Sequence, residues 1–235
     1  MNADDLPSIE ALLARRGPFS CRCGIAIGHP GACEDCDRAW ERKRWDREVM
    51  SWARSSIPDR FRWARYGHPD LATRVAPENV RAVLEIPSPL KCGVAIVGAS
   101  GAGKTTLACA LLRRIHDSAT PERSHEWVER ARKAVLVDAG EYLAACAEYQ
   151  KWSVKDEPKI VTMAHTASLL VLDNVEPGTF AGPLGQLVQG RHNRDATTIV
   201  TTWMTQDVAV KHYGHGWARR VYEFTVPLVA PAVGT

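Results

Sequence analysis

The stretch from Val94 to Leu107, VAIVGASGAGKTTL, constrains the fold more tightly than any other part of the sequence. An apolar run of strand length meets a glycine-rich turn, then a lysine and two threonines, then a helical pattern. Gly98, Gly103, Lys104 and Thr105 stand at the spacing GxxxxGK[ST], and a strand before with a helix after is the context in which that motif wraps a phosphate. Gly98, Gly101 and Gly103 admit positive backbone dihedrals and close approach, so successive amide N–H groups converge on an anion at the head of the helix. The expected contacts are Gly98, Ala99, Ser100, Gly101, Ala102, Gly103, Lys104, Thr105 and Thr106. Lys104 is expected to reach the β and γ phosphates of ATP, and Thr105 to give its hydroxyl to Mg2+.

The 235 residues, 45% of them hydrophobic, suffice for one medium domain plus an appendage. No apolar run nears the roughly 18 to 20 residues of a membrane span, and MNADDLPSIE lacks the basic and apolar regions of a signal peptide. A cytoplasmic protein with no membrane partner is therefore expected. Seven cysteines, four of them between Cys21 and Cys36, suit a metal site in a reducing compartment better than a disulfide framework. The net charge of +3 is too small to argue for nucleic acid alone, but the basic side chains crowd into the chain up to Arg65 and again from Arg113 to Lys133.

Ser8 to Arg16 reads as a short amphipathic helix, capped by Ser8 and ended by Gly17-Pro18. CRCGIAIGHPGACEDC follows, and Cys21, Cys23, Cys33 and Cys36 would close a tetrahedral structural Zn2+ site in a segment with too few apolar residues to fold alone. His29 is the alternative fourth ligand. The next stretch, DRAWERKRWDREVMSWARSS, is helical in composition; Trp40, Val49 and Trp52 are expected near one face, with Arg42, Lys43, Arg44 and Arg47 around it. It is either a nucleic-acid contact of arginines interleaved with indoles or a solvated helix docking its tryptophans. Ile57-Pro58-Asp59 breaks it. Residues 1–56 thus form a zinc-binding and helical docking region, and residues 57–235 a nucleotide domain that opens with a connector and the helical PENVRAVL.

Beyond the loop, strand and helix alternate, which predicts a three-layer α/β fold with a parallel sheet. The strands expected are Val94–Val97, Ala134–Val137, Leu169–Asp173, Thr198–Thr202 and Tyr222–Val226. Leu169-Leu170-Val171-Leu172-Asp173 is a Walker B pattern: a buried strand delivers Asp173 beside the phosphate loop, where it holds the Mg2+ shell. One strand separates loop and Walker B in sequence, an order that resembles the RecA and AAA+ class of ATPases. The AAA+ pattern supplies a second carboxylate after the Walker B acid, whereas this chain has Asn174, an amide that orients water without accepting its proton. Glu176 would contribute only through a folded-back loop. The end of the fourth strand is the sensor position, with Thr202 or Thr205 the candidates and Trp203 in place of the usual asparagine. In KHYGHGWARRVYEF, Tyr213-Gly214 and Gly216 are expected to bracket a turn, and Arg219 and Arg220 are either surface charge or an arginine finger for a neighbouring subunit.

The stretches IPDRFRWA, GVAIVGASGAGKTTL, ASLLVLDNV, QLVQGRHNRDATTIVTTWMT and YGHGWARRVYEF resemble the DnaC/IstB group of AAA+ ATPases, over residues 57 to 227. The resemblance implies a five-stranded parallel sheet in the order 5-1-4-3-2; the few residues after the expected fifth strand predict that the C-terminal lid common in AAA+ proteins is absent. Lys104, Asp173, Asn174, Arg219 and Arg220 are the candidate catalytic set; with Asn174 in place of the second carboxylate ATP hydrolysis is expected to be slow, and an arginine finger would put the ATP sites between subunits of a homo-oligomer. As partners the resemblance implies a DnaB-type replicative helicase and single-stranded DNA, with ATP as the switch that loads the helicase. A transposition helper of the IstB kind, acting with a transposase on duplex DNA, is the alternative within the group.

Overall fold

The computed structural model describes residues 19–21, 23, 25–27, 31–86, 93–120, 122–152, 157–178 and 181–229. The Ser8–Arg16 helix and His29 lie outside them. The chain divides into two units, Met1–Glu48 and Val49–Thr235.

In the first unit, β1 (Phe19–Ser20) and β2 (Ala26–Ile27) form an antiparallel pair with Phe19 opposite Ile27. A helix, Glu34–Ser56, begins here and runs across the division. Its first turn carries Glu34, Asp35 and Asp37 and its last carries Arg54, which complements the helix dipole. Arg44 and Glu48 pair one turn apart along it. Val49 and Ala53 are buried, while Trp40 is 57% exposed. The expected shared face for Trp40 and Val49 is thus not found, because nine residues at 100° each leave them half a turn apart.

The second unit opens with a 3-10 turn at Asp59–Phe61 and helices Pro69–Arg74 and Pro77–Leu84, each of the two helices begun by a proline. Five strands follow: β3 (Val94–Val97), β4 (Ala134–Asp138), β5 (Leu169–Val175), β6 (Thr197–Thr202) and β7 (Phe224–Pro227). All pairings are parallel and the order is β4-β5-β6-β3-β7. Numbered within the domain this is 5-1-4-3-2, as the resemblance implies.

Alternation along the strands explains why they read as unbroken apolar runs. Val94, Ile96, Leu169, Val171 and Ile199 face the helix Lys104–Asp117, where Leu107, Leu111 and Leu112 are buried. Ala95, Leu170, Leu172 and Val200 face Tyr142, Leu184, Leu187 and Trp217 on the opposite side. Both faces of the sheet are covered, so no polar face is left to break the pattern.

Helix Lys159–Thr166 precedes β5. The expected turn at 213–216 resolves into helices Gln206–Tyr213 and His215–Val221, separated by Gly214 at φ 85. Gly216 lies inside the second of them. Tyr222 falls outside β7 but remains buried, donating its hydroxyl to Met204 O at 2.8 Å. Among the described residues, no helix is long and apolar enough to cross a membrane.

Candidate functional site

The carboxyl edge of the sheet is where the loop after β3 turns into helix Lys104–Asp117. Gly101 and Gly103 hold φ values of 81 and 85, and a Cβ on Gly103 would stand 2.8 Å from Val75 Cγ2. A side chain at Gly103 is excluded by backbone and by space. The first amides of the helix lack intrahelical acceptors and point into the loop. Lys104 Nζ donates to Gly98 O at 2.8 Å and to Ala99 O at 2.9 Å, spanning the loop. Partial burial lowers its pKa below the usual lysine value, against the pull of the Asp173 and Glu176 carboxylates.

β5 brings Asp173 to the same edge, since it is the first polar residue after four buried apolar ones. Thr105 Oγ1 donates to Asp173, 3.0 Å from each carboxylate oxygen. Thr201 Oγ1 donates to Asp173 Oδ1 at 2.5 Å and accepts from Asn174 N at 2.8 Å. Desolvation raises the Asp173 pKa above the usual carboxylate value, and the two hydroxyl bonds oppose it. The hydroxyl of Thr105 and the carboxylate of Asp173 form a pair of hard oxygen donors of the kind Mg2+ takes, so these residues fit that ion.

Asn174 is exposed, with φ 60, and the pairing of β5 with β6 shifts register between Leu172 and Val175. Asparagine tolerates this left-handed backbone better than most residues. Glu176 is exposed two residues on. Thr202, the sensor candidate at the strand end, does not reach Asp173: its hydroxyl donates to Val175 O at 2.7 Å and accepts from Met204 N at 3.0 Å. Thr205 caps the next helix through Val208 N. The β6 threonine on Asp173 is Thr201; alternation lets only one of the neighbours Thr201 and Thr202 face that way, without saying which. Asp138 was also missed. It ends β4 in register with Asp173 and accepts from Glu141 N at 3.0 Å, and its charge adds to the upward push on the Asp173 pKa.

Arg219 and Arg220 occupy the last turn of helix His215–Val221, just before β7. In the parallel pairing Val94 stands opposite Phe224, so both arginines lie at the strand-start edge, opposite their own phosphate loop. The backbone approach there is close enough that a Cβ on Gly93 would meet Arg220 O at 1.7 Å. Arg219 is exposed; Arg220 is half-buried and returns Nη1 to Gly216 O at 2.6 Å.

In the first unit, the sulfurs of Cys21, Cys23, Cys33 and Cys36 lie within 4.8 Å of one another, with Cys23 and Cys33 at 3.5 Å. A tetrahedral four-sulfur zinc site with Zn–S near 2.3 Å has sulfur separations of about 3.8 Å. The donor set fits. Nearby backbone amides lower the Cys21 thiol to about 6, whereas the crowd of sulfurs, Cys21 first, pushes Cys36 up to about 12. A divalent cation is what would hold all four as thiolates.

No protein-family model matches the chain, and no curated protein does. Among solved structures, a candidate primosome component from Streptococcus pyogenes aligns at TM-score 0.51 and 16% identity, over 77% of this chain and 92% of that one. The DnaC helicase loader aligns at TM-score 0.45 and 19% identity, over 65% and 86%. AMPPCP-bound DnaA from Aquifex aeolicus gives 0.46 and 18%, over 64% of this chain and only 44% of the DnaA chain. The likeness is one of fold. With the phosphate loop and the sheet order, it makes this a three-layer α/β P-loop fold.

Proposed function

We propose that this chain is an ATP-dependent DNA replication factor that binds single-stranded DNA and loads a DnaB-type replicative helicase. The observation that carries the nucleotide part is the meeting of Lys104, Thr105, Asp173 and Thr201 at one sheet edge. The helicase part rests on the sequence resemblance over residues 57 to 227 and on the fold shared with a candidate primosome component. The protein acts in the cytoplasm as a homo-oligomer, with each ATP between two copies.

Residues Gly98 to Thr106 hold the phosphates, and Thr105 and Asp173 hold Mg2+, which neutralises phosphate charge when bound. Thr201, through its bond to Asp173, is better placed than Thr202 to sense the γ-phosphate. Asn174 orients the attacking water and cannot take its proton, so the chain turns ATP over slowly and works as a switch. The strand-start position of Arg219 and Arg220 supports action in trans. From there, a strand of four residues at about 3.3 Å each separates them from the loop of their own chain. Exposed Arg219 is the better finger of the two. The four cysteines hold a structural Zn2+ that folds the hairpin module.

Co-purification with the host's replicative helicase, with and without ATP and single-stranded DNA, tests this reading. An ATP-dependent complex is expected. Capture of a transposase together with duplex DNA, and no helicase, would overturn it.

A further inference from the structure

The nucleotide site is reached from outside the sheet by one buried amide. Asn79, 2% exposed, sits in the first turn of helix Pro77–Leu84, well before the phosphate loop in sequence. Its side chain meets both backbone groups of Val229: Val229 N–H donates to Asn79 Oδ1 at 2.9 Å, and Asn79 Nδ2 donates to Val229 O at 2.9 Å. The N–H of Val229 demands an acceptor, so the amide has only one orientation, with Nδ2 on the far side. The remaining Nδ2 hydrogen is directed to Ala102 O, 3.4 Å away inside the phosphate loop.

That contact acts on a single peptide plane. In a trans peptide the carbonyl of Ala102 and the N–H of Gly103 point in opposite directions. A donor that holds Ala102 O outward therefore turns Gly103 N–H inward, toward the space that an anion takes at the head of the helix. The next residue of the loop is fixed by packing from the same connector, since Val75 leaves no room for a side chain on Gly103. Leu228 completes the clamp. Its N–H donates to Val97 O at 2.7 Å, which ties the segment carrying Val229 to the strand that feeds the loop.

We propose that Asn79 is a positioning residue for nucleotide binding, which sets the Ala102–Gly103 peptide so that the Gly103 amide donates to a phosphate. The proposal rests on the nucleotide reading above. It makes ATP affinity depend on residues at both ends of the domain that touch no phosphate themselves.

The test is a titration of the full chain with a fluorescent ATP analogue and Mg2+, comparing wild type, Asn79→Ala, Asn79→Asp, Val229→Pro and Lys104→Ala. Asn79→Ala is expected to weaken binding about tenfold, the worth of one hydrogen bond to a charged group. Asn79→Asp is expected to do at least as much, because a carboxylate has no hydrogen for Ala102 O. Val229→Pro removes the N–H that orients the amide, at a half-exposed site, while leaving Asn79 in place, and is expected to give a smaller loss in a protein that folds. In 15N-labelled wild type, the Gly103 amide resonance should shift on addition of MgATP, and in the Asn79 variants or Val229→Pro that shift should shrink. A purely structural role would lower the melting temperature and leave the affinity of the folded protein and the Gly103 shift unchanged. That result in Asn79→Ala, or in Val229→Pro should Asn79→Ala not fold, overturns the proposal. Lys104→Ala separates the two levels: if it abolishes binding while the Asn79 variants bind normally, only the positioning role fails. If Lys104→Ala also binds normally, the nucleotide reading fails with it.

Discussion

Asn174 meets a backbone demand at the position where the proposed chemistry needs an orienting amide. Its φ of 60 and the bond from its N–H to Thr201 Oγ1 place it at the register shift near the end of β5. A longer side chain there costs about 1 kcal/mol of backbone strain or more, while aspartate is nearly as tolerant as asparagine. Asn174→Asp should therefore raise steady-state ATP turnover by about tenfold or more, and Asn174→Glu by less, as read by phosphate release. Equal or lower turnover in a folded Asn174→Asp would show that water activation is not what limits the rate. Arg191 is the second instructive residue. Fully buried, it donates to Thr198 Oγ1, Ala164 O, Ala167 O and Thr197 O at 2.6 to 3.0 Å, with no carboxylate among these four acceptors. Burial pulls its pKa down to about 10, still charged at neutral pH. Arg191→Met would orphan all four acceptors and should cost about 3 to 5 kcal/mol in urea unfolding, more than a core truncation of similar volume.

Helix Lys104–Asp117 carries a pH-dependent contribution to stability in His116. The ring is fully buried; Nε2 lies 3.4 Å from Ala134 O and Nδ1 has no partner. Burial lowers its pKa from 6.5 to about 4. On acidification the unfolded chain takes up this proton below pH 6.5, and the folded chain only near pH 4. The stability is thus complete above 6.5 and falls as pH drops through that window, by about 3 kcal/mol in all. Urea midpoints at pH 7 and pH 5 should show the loss, and His116→Leu should flatten it. The hairpin of β1 and β2 poses the opposite problem, since a pair of two-residue strands has no core of its own. Metal analysis should give about one Zn2+ per chain, lost in Cys33→Ser with Cys36→Ser. A metal-free protein whose hairpin keeps its amide protection would count against zinc.

At the scale of the molecule, the parallel sheet puts the phosphate loop and the two arginines at opposite edges. In the proposed oligomer, one chain would therefore offer a loop to one neighbour and a finger to the other. Arg219→Ala should abolish DNA-stimulated turnover with ATP binding nearly intact, and mixing it with Lys104→Ala chains should restore part of the rate. The mixed interface pairs a sound loop with a sound finger. Absence of rescue at every ratio, with both variants folded, would leave a finger acting in cis or a structural role for the arginines.

The sequence by itself determined the phosphate loop, the Walker B acid, the five strands and the proximity of four cysteines. Each is a local pattern: glycine spacing, runs of buried residues, and ligands a few positions apart. Tertiary structure alone decided that Thr201 and not Thr202 meets Asp173, since a strand reading one residue out of phase exchanges the faces. It decided that helix, not turn, surrounds Gly216, because Gly214 and the Thr205 cap set boundaries that composition left open. It also brought Asn79 to Ala102 and Val229, and gathered Arg191 onto carbonyls from two other segments. Backbone carbonyls are the same at every position, so a contact to one leaves no trace in the residue types and is fixed only when the chain has folded.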